Sequence, residues 1–90
     1  MKNIYLGRMN SEYFLNLKGV RDSIKDVIIC ENSNKVIEVL SGVGGYIQKG
    51  RKFNLIYDKD VEQEILSFIQ EKGREGRIKL EDINPDKRYK

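Results

Sequence analysis

Apolar positions recur along the chain with two different periods. Lys2 to Met9 carries Ile4, Tyr5 and Leu6 in a short apolar run and reads as a strand. Asn10 and Ser11 follow and suit a helix N-cap. Beyond them Tyr13, Phe14, Leu17, Val20, Ile24, Val27 and Ile28 recur at steps of one, three or four, which predicts a helical face. Gly19 weakens such a helix by roughly 1 kcal/mol relative to Ala. Val27-Ile28-Ile29-Cys30 is β-branched, so the helix can stop near Ser23 and a strand begin at Lys25. A third arrangement is an early hairpin, with Tyr13 to Lys18 returning antiparallel to Ile4 to Arg8. The pattern leaves all three open.

Asn32-Ser33-Asn34 reads as a turn, and Lys35 to Leu40 as a β-branched strand. Gly42, Gly44 and Gly45 loosen the next stretch, and Tyr46 to Gln48 reads as short and extended. Residues 52 to 57 alternate around Phe53, Leu55 and Tyr57, and Ile56 makes the strand apolar on both faces, as a central strand should be. Asp58 or Asp60 caps a helix whose stripe is Val61, Ile65, Leu66, Phe68 and Ile69, with Gly73 as its C′ residue. Arg77 to Ile83 reads as a last strand, ended by Pro85. The simplest element order is βαββαβ, with one extra strand left open. It predicts an α+β, ferredoxin-like domain over residues 1–84: an antiparallel sheet with two helices on one face, and a loose polar tail over 85–90. The alternative is a mostly β domain with one long helix at 60–73.

Composition narrows the function classes. Ninety residues make one small domain that buries only about 60–65% of its unfolded surface, so oligomerisation is a natural source of further stability. The net charge of +3 tolerates an acidic ligand but does not by itself argue for nucleic acid. The single cysteine, Cys30, excludes an intrachain disulfide and reads as a small buried filler. The chain has no histidine, which removes the usual general base, most zinc-site designs and every histidine-containing triad. No signal-peptide pattern and no apolar run near 18 residues is present, which predicts a cytoplasmic protein.

Candidate chemistry is sparse. Asp58, Asp60, Glu62 and Glu64 cluster, but a helix cap and a solvated first turn account for them. No nucleophile stands beside a base, so the chain reads as non-enzymatic, with no metal or cofactor. Residues 42–50 lack the Gly-Lys-Ser/Thr ending of a phosphate-binding Walker loop. One reading makes this stretch a glycine-loosened bend between strands. The other makes it a ligand cradle: Gly44, Gly45 and Gly50 open the backbone, Tyr46 and Ile47 offer apolar contact, and Lys49, Arg51 and Lys52 meet an anion. Those eight residues are the candidate ligand-binding set.

The stretch "VLSGVGGYIQKGRKFNLIYDKD" resembles the middle of PII-like signalling proteins, especially their cyclic di-AMP receptor branch. The matching positions are Leu40, Gly44, Gly45, Tyr46, Ile47, Gly50, Leu55, Ile56 and Asp60, within residues 36–72. The resemblance implies a ferredoxin-like fold, a homo-oligomer that would be a trimer, and regulatory sensing of a small nucleotide between subunits. Gly44, Gly45, Tyr46 and Ile47 would be the carried-over contacts. A second resemblance joins "NIYLGRM" and, faintly, "KGRKFNLIY" to the two motifs of RNA-recognition domains. It implies single-stranded nucleic-acid binding on a sheet that exposes Tyr5 and Phe53. A protein-interaction adaptor, such as a phage or host regulatory factor, is the remaining class.

Overall fold

The computed structural model describes residues 2–21, 26–41 and 51–89. Its strands are β1 (Lys2–Met9), β2 (Glu12–Asn16), β3 (Val27–Cys30), β4 (Phe53–Asp58) and β5 (Ile83–Tyr89); its helices are α1 (Ser33–Ser41) and α2 (Glu62–Arg74). The sheet order is β3-β2-β1-β4-β5. β1, β2 and β3 form an antiparallel meander, and β4 and β5 add parallel to β1. The domain is therefore α+β with a five-stranded mixed sheet. The expected βαββαβ order and all-antiparallel sheet are not found, and neither is a mostly β domain with a single helix.

Two segments account for the difference. Of the three arrangements open for Tyr13 to Ile28, the hairpin is the one found, with a strand following at Val27–Cys30. Asn10 takes φ 59°, a left-handed geometry that asparagine tolerates, and turns the chain back so that Met9 faces Glu12. Leu15, absent from the helical stripe, is fully buried, whereas Val20, a member of it, is 46% exposed. The expected strand over Lys35 to Leu40 is α1. Asn32 caps it, its Oδ1 accepting from the Lys35 amide at 2.9 Å, and Val36, Ile37 and Leu40 bury one helical face. Val36 and Ile37, two of the three β-branched residues of this helix, are tolerated because burial outweighs their small propensity cost.

At the other end, α2 runs through Gly73, and the left-handed C′ glycine is Gly76 at φ 76°. The Gly76 amide donates to the Gly73 carbonyl and the Arg77 amide to the Lys72 carbonyl, the two bonds of a Schellman ending. Residues 77–82 form turns and a 3₁₀ segment rather than a strand. Pro85 does not end a strand. It lies within β5 opposite Leu55, on the sheet's outer edge, where a missing N–H is tolerated. Residues 85–89 are accordingly paired with β4 and not a free tail.

Both crossovers, β3-α1-β4 and β4-α2-β5, run the same way across the sheet. Right-handed connections then put both helices on one face. The core agrees. Ile4, Leu6, Leu15, Cys30, Phe53, Leu55, Tyr57 and Ile83 from the strands share one cluster with Val36, Ile37 and Leu40 of α1 and Ile65, Phe68 and Ile69 of α2. Among the described residues, the opposite face of the sheet carries no helix.

Candidate functional site

The helix-free face is built from the alternate residues of each strand. Asn3, Asn54 and Asn84 stand side by side on β1, β4 and β5. Asn84 donates to Asn54 Oδ1 at 2.7 Å, and Asn54 donates to Asn3 Oδ1 at 2.8 Å, so the three amides make one hydrogen-bonded row. The segment after β2 folds back over this face. Gly19, at φ 76°, packs directly on Asn3, where a Cβ would come within 2.5 Å of the Asn3 Cβ. Arg21 reaches Asp58 at 3.8 Å, and the same Asp58 carboxylate accepts from the Tyr5 hydroxyl at 2.9 Å.

Next to this covered part lies a cleft of about 400 Å³ beside the carboxyl end of β1 and along β3. Phe14 lines it from β2, Met9 and Glu12 from the hairpin, Val27 and Ile29 from β3, and Arg21 from the returning segment. Phe14 sits over Gly7, its partner on β1. A Cβ at Gly7 would collide with the Phe14 ring and lie 2.8 Å from a Tyr5 ring carbon. The missing side chain lets Phe14 lean against Tyr5, ring centres 5.7 Å apart and tilted by 49°. Met9 and Ile29 are 65% and 59% exposed, the two highest values among the exposed large apolar side chains. The sequence pattern does not single out this cleft, because it leaves Tyr13 to Ile28 open between a helix and a hairpin. The alternation of Tyr13, Leu15 and Leu17 against Phe14 and Asn16 was the available signal.

The opposite face at this end holds a polar knot. Glu64 of α2 accepts from the Tyr13 hydroxyl and, at 2.8 Å, from Arg8 Nη1, while the Tyr13 and Phe68 rings stack at 6.4 Å. Partial burial, then the Glu64 carboxylate, pushes the Tyr13 hydroxyl up to about 12. Burial also raises the Cys30 thiol, which is free and fully buried, as its sequence context predicts. An unreactive thiol is the consequence.

Of the eight candidate ligand residues, Gly44, Gly45, Tyr46, Ile47, Lys49 and Gly50 lie outside the described residues. Arg51 and Lys52 are exposed immediately before β4. β4 runs parallel to β1 with Phe53 beside Lys2, so Arg51 and Lys52 lie at the start of β1 and the cleft at its end. Neither Arg51 nor Lys52 lines the cleft. The pair needed for an RNA-recognition platform is not assembled. Tyr5 and Phe53 are 1% and 0% exposed and point to opposite faces, Tyr5 to the helix-free side and Phe53 into the core.

Asp58, Asp60, Glu62 and Glu64 end β4 and open α2, and no cluster suited to a metal ion occurs among the described residues. No helix there is long and apolar enough to cross a membrane. Neither a family model, nor a curated protein, nor a solved structure matches this chain.

Proposed function

We propose that the chain is a non-enzymatic binding module whose open-face cleft takes a small anionic ligand with a flat apolar body, a nucleotide being the nearest chemical class. The observation that supports this most is the cleft itself. Its volume suits one small ligand, its lining is mainly apolar and includes the Phe14 ring, and Arg21 places a cation on its wall. The Phe14 and Ile29 surfaces would hold the flat part. Arg21, on the cleft wall, would supply positive charge to the anionic part. A regulatory role follows naturally, since ligand contacts here span β1, β2, β3 and the returning segment.

The test is a thermal-shift series with adenine and guanine nucleotides, cyclic dinucleotides and the matching nucleosides. A ligand at a hundred times its dissociation constant adds roughly 2.7 kcal/mol. In a chain of this size that raises the melting temperature by about 10 °C or more. Two variants locate the site. Loss of the shift in Arg21→Gln but not in an Arg51→Gln, Lys52→Gln double variant assigns the cleft. The reverse pattern assigns the start of β4 and the glycine-rich stretch before it. No shift with any compound removes the reading.

A second reading, a protein-interaction adaptor, is favoured by the exposure of Met9 and Ile29, which both line the cleft. It predicts that peptides selected for binding to the chain are apolar and lose affinity to Ile29→Lys.

A further inference from the structure

The two edges of the sheet are unlike each other. β5 carries Pro85, Asp86 and Lys87, and its pairing with β4 is broken by a bulge at Tyr57/Asp58. Proline, charge and bulges are the usual guards against edge-to-edge pairing. β3, the other edge, is Val27-Ile28-Ile29-Cys30: no charge, no proline, and an unbroken register against β2. Ile29, 59% exposed, is the most open residue of this strand, and its side chain is β-branched and apolar. Among the described residues no strand lies outside it.

The backbone of β3 has a defined pattern. The Leu17 amide donates to the Asp26 carbonyl, which makes Leu17 and Asp26 a hydrogen-bonded antiparallel pair. Alternation then makes Leu15 with Ile28 and Tyr13 with Cys30 hydrogen-bonded pairs too. The N–H and C=O groups of Val27 and Ile29 therefore point away from β2, into the open edge.

We infer that β3 pairs antiparallel with β3 of a second copy of this chain, around a two-fold axis passing by Ile28. In that register Val27 lies opposite Ile29 of the second copy and Ile28 opposite Ile28. The outward groups of Val27 and Ile29 meet their counterparts in four backbone hydrogen bonds. Val27 and Ile29 also face the cleft side in both copies, so the two clefts adjoin across the axis and each gains an apolar wall from its neighbour. The strand is self-complementary in hydrogen bonding and in apolar surface, which a two-fold interface requires. This does not rest on the ligand reading, and every measurement below is made without ligand. Four residues a side make a small interface, so the dimer is weak and concentration-dependent.

Sedimentation equilibrium over roughly a hundredfold range of protein concentration tests it, because a weak dimer is populated only by mass action. The dimer fraction is expected to rise with concentration in the wild type and to vanish in Ile29→Pro, which deletes only an outward N–H, and in Ile29→Lys, which keeps the backbone and charges the edge. Circular dichroism checks that each variant is folded. Independently of both, Ile28→Cys in a Cys30→Ala background should form a disulfide-linked dimer on mild oxidation, because opposed non-hydrogen-bonded residues bring their Cα atoms within disulfide range. A wild type that stays monomeric across the range overturns the inference. So does a dimer that survives the folded Ile29 variants, or one that gives no cross-link at position 28.

Discussion

Replacing Gly7 by alanine tests the construction of the cleft at its base. The added Cβ would lie 2.8 Å from the Tyr5 ring and closer still to the Phe14 ring, against the 3.4 Å or more of ordinary contact. Neither ring can absorb this in place. Tyr5 is fully buried with its hydroxyl tied to Asp58, so Phe14 must swing out into the cleft. Overpacking of this kind costs about 1–3 kcal/mol. Loss of the tilted ring pair adds about 0.5–1.5 kcal/mol. Alanine returns about 0.4–1 kcal/mol by restricting the unfolded chain. The net expectation is destabilisation by about 1–3 kcal/mol, or roughly 5–15 °C in melting temperature for a domain of this size. Urea unfolding followed by far-ultraviolet circular dichroism measures it, and the near-ultraviolet aromatic signal reports the displaced ring. Combining Gly7→Ala with Phe14→Leu should restore part of the loss, with a coupling of about 1 kcal/mol or more. A neutral or stabilising Gly7→Ala, or strict additivity with Phe14→Leu, would refute the claim that Phe14 lies across β1.

Two further outcomes concern stability. Tyr13 has its pKa raised from 10.0 to about 12 in the folded state, so its contribution is fully present below pH 10 and is lost as pH rises through 12. After allowing for its partial exposure the fall is on the order of 1 kcal/mol, and Tyr13→Phe should flatten that alkaline limb in urea titrations at stepped pH. In the asparagine row Asn54 makes both side-chain bonds and each neighbour only one. Chemical denaturation should therefore rank Asn54→Ala as the most costly of the three alanine variants, by about 1–2 kcal/mol; equal costs would mean that the amides act separately.

Pattern reasoning succeeded where one element buries one face by one period. β1 and β4 were legible within a residue, and α2 showed its stripe, its early acids Glu62 and Glu64 and its late Lys72. It failed where a second explanation fitted the same letters. Val36, Ile37 and Leu40 are β-branched or branched residues at helical spacing, and only the Asn32 cap separates the two readings. Tyr13, Phe14 and Leu17 satisfy a helical stripe and a strand alternation alike, and only their partners on β1 and β3 decide between the two. The cleft was hidden by the same ambiguity, since Phe14, Arg21 and Ile29 come together only once the meander forms. Pro85 misled because its meaning depends on whether β5 is an edge, which is a property of the whole sheet.

The position of β1 at the centre of the sheet has a consequence for the order of assembly. On one side β1 meets β2 through a two-residue turn, and Met9 faces Glu12. On the other it meets β4, with Lys2 beside Phe53. Closing the longer connection costs roughly 2–3 kcal/mol more chain entropy than closing the turn. The meander can therefore gather early from neighbouring segments, with the face of Ile4, Leu6 and Leu15 still in water. It becomes durable only when α1 and α2 arrive with the later parallel strands. Folding speed is then set by the parallel half of the sheet, and an assembly arrested at the meander stage would present an uncovered apolar face to other chains.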